Sequence, residues 1–152
     1  MRHIQGQIHI DRPADEVFDF IADSRNEPGY NPAMRRVTLL TEEPIGAGSR
    51  FRATMGRGQM PLLVTLTAFD RPHELGSTTT STLMDTAGTL RFTPAGPAGT
   101  VMSWDWQVQP KGWLRLLGPL FTPIGRRMEQ RIWTAARDAL HTGTTQLPGT
   151  RT

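Results

Sequence analysis

Apolar and polar residues alternate along most of this chain up to about residue 109, which is the pattern of half-buried β-strands. Ile4, Ile8 and Ile10 fall on one parity of the first such stretch. His3 and His9 fall on the other parity, so we expect them to face solvent. Further strands are predicted around 37–39, 50–55, 59–69, 74–83, 89–93 and 100–109. Tight loops join them, which predicts a mostly antiparallel sheet.

Two stretches follow the period of an α-helix instead. A short one comes after Pro13, where Val17, Phe18 and Ile21 give it an apolar side. A long one runs from about 113 to 141 and could cover the whole sheet. Its predicted buried face consists of Ile124, Met128, Ile132, Ala135, Ala136, Ala139 and Leu140. Pro119 and Pro123 each remove a helical N–H, so 113–122 is expected to be a separate or kinked segment.

Length and composition narrow the class of protein. A chain of 152 residues predicts one domain, here 1–141, followed by a disordered tail at 142–152 with almost no apolar content. The absence of cysteine excludes disulfides, thiol nucleophiles and Cys-based metal sites. No stretch has the length of a membrane span or the form of a signal peptide, so a cytoplasmic protein is expected. The formal charge is only +3 and the arginines are scattered among acids, which argues against nucleic-acid binding.

Three stretches carry a resemblance to a known family. They are Ile8 to Phe18 (IHIDRPADEVF), Tyr30-Asn31-Pro32, and the strand with Trp104 and Trp106 leading into Gly112, Pro119 and Arg126-Arg127. With the element order β-α-α-β6-α, the chain resembles the helix-grip fold of the START-like (SRPBCC) superfamily, and within it the bacterial polyketide cyclase/dehydrase and lipid-transport group.

The resemblance implies an α+β fold, with a curved antiparallel sheet of about seven strands wrapped around a long C-terminal helix. It also implies a cavity between sheet and helix that accepts a small or medium apolar ligand, of lipid, polyketide or aromatic type. It does not imply one reaction, because the group contains enzymes and carriers.

The cavity wall can be predicted from strand parity and from the apolar residues near the last helix. The candidate residues are Tyr30, Phe51, Met55, Val64, Leu66, Ser77, Thr79, Leu90, Phe92, Met102, Trp104, Trp106, Leu117, Phe121, Ile124 and Met128. Trp104 and Trp106 either form an aromatic wall for a ligand or simply fill the core. Ser and Thr occupy both parities of 74–83, so the facing of Ser77 and Thr79 stays open. We expect segment 113–122 to form one lip of the cavity mouth, opposite residues 27–32.

The sequence offers only weak candidates for catalytic residues. Asp105 is expected to point outward, and Arg52 and Arg91 fall on the outward parity unless a bulge reverses them. Glu129 lies off the centre of the predicted apolar stripe. Tyr30 could donate a hydrogen bond at the mouth or could be a packing residue. No metal-ligand spacing, nucleophile arrangement or phosphate loop is present, so neither metal nor cofactor is expected.

These observations favour a protein that binds a hydrophobic small molecule without strong catalytic machinery. The alternative is a polyketide cyclase/dehydratase-type enzyme acting in the same cavity, and catalysis stays open. A third hypothesis uses the apolar stretch 113–121 as a docking surface for a partner. A homodimer also stays open.

Overall fold

The structure, a computed structural model, describes residues 2–142. Its strands are β1 (Arg2–Ile10), β2 (Met34–Leu39), β3 (Arg50–Met55), β4 (Met60–Asp70), β5 (Glu74–Thr80), β6 (Met84–Ala95) and β7 (Gly99–Pro110). Its α-helices are α1 (Ala14–Ala22) and α2 (Phe121–Thr142), and two 3₁₀ segments span Ser24–Gly29 and Gly112–Leu120. The predicted tail lies outside the described residues from 143 onward.

All seven strands form one antiparallel sheet in the order β1-β7-β6-β5-β4-β3-β2. The first strand therefore lies at one edge of the sheet and pairs with the last, while consecutive hairpins build the rest. Together with the long C-terminal helix, this confirms the predicted α+β helix-grip fold. Strand parity predicted the inner face correctly for Ile8, Phe51 and Trp104, because each apolar position pairs with another across the ladder.

Strand pairing also shows which side chains of β5 point to the inner face of the sheet, a question that the sequence left open. Ser77 is opposite Leu66 and Gly88, and Thr79 is opposite Val64 and Thr86. Both residues therefore share the inner face of the sheet with their apolar partners.

The last helical region is divided as the two prolines predicted. Segment 112–120 is a 3₁₀ segment in which Gly118 adopts φ 53° and ψ −129°, a conformation that breaks the helix before Pro119. Helix α2 then runs along the β1 side of the sheet, where Gly125 admits the tip of Ile4. Within residues 2–142, no helix is long and apolar enough to cross a membrane.

Candidate functional site

The inner face of the sheet is closely packed on one side and partly uncovered on the other. Phe51, Leu66, Leu90, Phe92 and Met102 are buried in one apolar cluster. Met55 is partly buried in a smaller satellite cluster. That these residues line a ligand cavity stays a prediction, since buried side chains also describe an ordinary core.

The uncovered patch, as we call it, consists of Val64, Ser77, Thr79 and Thr86. All four lie on the inner face of neighbouring strands and are partly exposed. Gly88, opposite both Ser77 and Trp106, connects this patch to the tryptophan strand. The patch therefore combines hydroxyl groups with apolar surface beside an indole ring.

Two glycines make room for the two indoles of β7. A Cβ placed on Gly6, opposite Trp104, would lie 2.4 Å from Cζ2 of that indole. A Cβ on Gly88 would lie 2.0 Å from the backbone oxygen of Asp105 and 2.9 Å from Cε3 of Trp106. All three distances are shorter than the contacts that real Cβ atoms make, so the absence of side chains here allows the indoles to lie against the sheet.

Glu129 of α2 faces into this aromatic region. Its Oε2 accepts hydrogen bonds from Nε1 of Trp133, at 2.7 Å, and from Nε1 of Trp106, at 3.1 Å. Burial raises the pKa of the Glu129 carboxyl, and the two indole N–H groups oppose that shift. Glu129, which the sequence placed off the centre of the apolar stripe, therefore faces inward.

The reason is that the first half of α2 is rotated by about one residue relative to the prediction, whereas Ala136 and Leu140 are buried as predicted. The side of α2 that faces the sheet carries Phe121, Gly125, Glu129, Trp133, Ala136 and Leu140. Ile124 and Met128 are 47% and 53% exposed, which corrects the predicted facing of both. Trp133 is the largest apolar side chain on α2, and the missed signal was that Gly125, Glu129 and Trp133 follow one another at intervals of four residues.

Segment 24–29 supplies a second buried carboxylate. Asp23 accepts hydrogen bonds from the backbone N–H of Arg25 and, through both carboxyl oxygens, from its guanidinium, which fixes the start of the segment. Oε1 of Glu27 accepts a 2.9 Å hydrogen bond from Nδ2 of Asn31. The pKa of Glu27 is raised to about 7, mainly by burial and also by the charge of Glu129, while the hydrogen bond from Asn31 acts in the opposite direction.

Protein atoms closely surround the carboxyl of Glu27, although the residue keeps some accessible surface. Sequence reasoning missed this group because it lies in a short segment rich in Pro and Gly, with no periodicity to show which way its side chains point.

Tyr30 lies near both carboxylates. Its ring is buried between Phe20, with centroids 5.6 Å apart, and Trp133, with centroids 6.2 Å apart. Burial raises the pKa of Tyr30 well above its ordinary value, and the charges of Glu27 and Glu129 act in the same direction. We call Glu27, Tyr30 and Glu129 the carboxyl–tyrosine cluster.

Each member of the cluster has one polar atom free. In residues 2–142, the hydroxyl of Tyr30, Oε2 of Glu27 and Oε1 of Glu129 form no hydrogen bond. Within residues 2–142, the fully buried side-chain oxygens and nitrogens that make no hydrogen bond comprise only Oδ1 of Asp85, and that oxygen forms an ion pair with Nζ of Lys111 at 2.8 Å. The three free atoms therefore still border accessible space, where they can hydrogen-bond to another molecule.

The other predicted residues have different positions. Leu117 packs partly buried against the core, and Phe121 is buried in it. Arg52 is exposed on the outer face, and Arg91 lies there 3.3 Å from Glu74, so no bulge turns either inward. Among the residues that the structure describes, no group of three or more His, Asp or Glu could hold a metal ion.

Solved structures of similar fold cover nearly the whole chain. TTHA0849 from Thermus thermophilus superposes with a TM-score of 0.78 at 15% identity, covering 95% of this chain and 100% of its own. A START superfamily protein from Mycobacterium smegmatis has a TM-score of 0.70 at 15% identity, covering 92% of this chain and 94% of its own. Ara h 8.0201 has a TM-score of 0.71 at 14% identity, with 93% and 98% covered. At these identities the likeness shows the fold alone.

No curated protein matches the chain significantly in sequence. A family model does match, and it is described as polyketide cyclase / dehydrase and lipid transport. The match extends over residues 1–142, which includes every element of the fold and both carboxylates of the cluster. The chain therefore belongs to the polyketide cyclase/dehydrase and lipid transport family.

Proposed function

We propose that the protein binds a small or medium hydrophobic molecule between the inner face of the sheet and helix α2. The observation that carries this proposal is the uncovered patch beside Trp106, because it leaves apolar wall and hydroxyl groups accessible on the inner face of the sheet. The family description and the fold are consistent with such a ligand.

The ligand we propose has an apolar body and one polar end. The body lies against Val64 and the indole of Trp106. The polar end reaches the free atoms of the carboxyl–tyrosine cluster. A carboxyl with a pKa near 7 is about half protonated at neutral pH, so Glu27 can donate a hydrogen bond to a ligand carbonyl or hydroxyl.

Two variants at neighbouring positions test this site. Thr79→Phe fills the uncovered patch from the inner face, whereas Thr78→Phe adds the same side chain on the outer face of the same strand. We expect tryptophan fluorescence to report saturable binding of an apolar ligand to the wild type and to Thr78→Phe, and a loss of affinity of about tenfold or more in Thr79→Phe. Equal affinity in all three proteins would overturn the proposed location.

Mass spectrometry of an organic extract of the purified protein identifies the ligand class directly. A stoichiometric apolar molecule supports the proposal. An empty extract, together with unchanged fluorescence across a panel of lipids, polyketides and aromatic compounds, would instead assign Trp104 and Trp106 to the core.

The second candidate function is catalysis of the cyclase/dehydratase type, and the carboxyl–tyrosine cluster is the observation that favours it. Two carboxyls with raised pKa values and a phenol supply a proton donor and an acceptor beside the same space. Glu27→Gln and Glu129→Gln keep the side-chain shape and remove proton transfer. Ring closure or loss of water from a fed polyketide precursor, abolished by either variant, would establish this function, while binding without turnover would exclude it for that precursor.

A further inference from the structure

Large apolar side chains remain exposed along the last helical region. Trp113 is 60% exposed, Leu116 86% and Leu120 62%. Ile124 and Met128 continue the series at intervals of four residues across the break at Gly118. We call these five residues the exposed apolar patch. Large apolar surface left in water on a folded protein usually marks an interaction site.

The core does not require these side chains. Leu114 and Leu117 pack against the core from the same 3₁₀ segment, and Phe121 is buried. The segment therefore already has an inward apolar face. The exposed apolar patch is a second apolar face that points away from the molecule.

The charged side chains in the stretch that carries the patch, 113–128, are basic. Ile124 and Met128 share a surface depression of about 390 Å³ with Pro123, Arg127 and Arg131. Within residues 2–142, neither of these arginines nor Arg115 forms an ion pair. The sequence from 106 to 128 contains no Asp or Glu, and Glu129 is directed into the aromatic region.

We propose that the exposed apolar patch docks the protein onto the surface of an anionic lipid bilayer. Trp, Leu, Ile and Met can enter the boundary between head groups and acyl chains, while Arg115, Arg127 and Arg131 meet the negative head groups. Charge favours this occupant over a second copy of the chain, because a symmetric dimer through the patch would bring the same unpaired arginines together.

Docking in this way would place segment 112–120 between the bilayer and the core. Its inward face, with Leu114 and Leu117, belongs to the same apolar cluster as Trp106. A bilayer at the outer face would therefore lie close to the region where we propose that an apolar ligand binds. The docking proposal itself does not require that ligand.

Co-sedimentation of the full chain with vesicles tests the proposal. We use vesicles of equimolar phosphatidylglycerol and phosphatidylcholine, and vesicles of phosphatidylcholine alone. We expect binding to the anionic vesicles at low salt, a blue shift of tryptophan emission, and loss of binding as salt is raised. No binding to anionic vesicles at low salt, or equal binding to both kinds, would overturn the proposal.

Variants then assign the surface. Leu116→Glu with Leu120→Glu should lower the partition coefficient at least about tenfold, and Arg127→Gln and Arg131→Gln about fivefold each. The matched control is Leu40→Glu with Leu63→Glu, since those leucines are 41% and 36% exposed outside the patch. All variants replace exposed residues, and circular dichroism confirms folding.

Unchanged vesicle binding in the Leu116/Leu120 variant would overturn the assignment. A concentration-dependent dimer that this variant abolishes, with no vesicle binding by the wild type, would assign the patch to a second copy instead.

Discussion

The indole N–H of Trp133 donates a 2.7 Å hydrogen bond to Oε2 of Glu129, one helical turn before it on α2. The same oxygen accepts from Trp106 of β7, so one carboxylate ties the C-terminal helix to the sheet. Both indoles are buried, and a buried N–H without a partner costs free energy. Glu129 therefore contributes to packing through Oε2, while its Oε1 makes no hydrogen bond to the described residues 2–142.

Replacing Glu129 should show this double role. Glu129→Ala leaves two indole N–H groups unpaired and should lower the free energy of unfolding by about 2–5 kcal/mol. Glu129→Gln retains an acceptor oxygen and should lose less than half as much. Urea denaturation followed by tryptophan fluorescence measures both values. Equal loss in the two variants would contradict the role of the shared acceptor.

Stability should depend on pH through Glu27. Burial raises its pKa from 4.5 in the unfolded chain to about 7 in the folded protein, so the folded state binds the proton more tightly. The resulting stabilisation is complete below about pH 4.5 and is lost as pH rises through about 7. It amounts to at most about 3 kcal/mol.

Glu27→Gln removes this titration and should flatten the fall in unfolding free energy between about pH 5 and about pH 8, a window that follows from that shift. Glu42→Gln, which changes an exposed carboxylate, is the control and should leave the slope intact. If the wild type is equally stable across this range, the carboxyl of Glu27 is not desolvated as described.

The affinity for a ligand should also depend on whether Glu27 is protonated. An uncharged ligand with a carbonyl end gains a hydrogen bond from protonated Glu27 and loses it when the group ionises near pH 7. We expect its dissociation constant to rise about three- to tenfold from the acidic to the alkaline side of that pKa. Fluorescence titration of the wild type and of Glu27→Gln provides the comparison, because the amide remains a donor at both pH values.

Gly88 should tolerate no side chain. A Cβ there would meet the backbone oxygen of Asp105 at 2.0 Å and the ring of Trp106 at 2.9 Å, so β6 and β7 would have to shift. Gly88→Ala is expected to cost about 1–3 kcal/mol of stability and to weaken ligand binding by displacing Trp106. Gly46→Ala, whose Cβ would meet nothing within 4 Å, is the matched control. Thermal unfolding followed by circular dichroism compares the two variants.

The sequence by itself determined where most strands lie and which of their side chains face inward. Alternation of apolar and polar residues showed which side chains of β1, β3, β4 and β7 lie inward, because successive residues of a strand must face opposite sides. Two prolines four residues apart likewise predicted the break before α2. These features depend only on neighbours along the chain.

The tertiary structure decided what the sequence left open. Ser and Thr occur on both parities of β5, so only pairing with Val64 and Leu66 shows that Thr79 and Ser77 face inward. The rotation of α2 was misjudged because several registers of an amphipathic helix bury similar amounts of apolar surface. The close approach at Gly125 and the position of Trp133 select the register that directs Glu129 inward.

The carboxyl–tyrosine cluster is the clearest example of a feature that only the tertiary structure shows. Glu27 and Glu129 are about a hundred residues apart in the chain, on a short 3₁₀ segment and on the last helix. Neither belongs to a local motif, and each has an ordinary surface carboxylate as its simplest interpretation. Only packing of both elements around Tyr30 and Trp133 brings the two charges together, and burial there raises both pKa values.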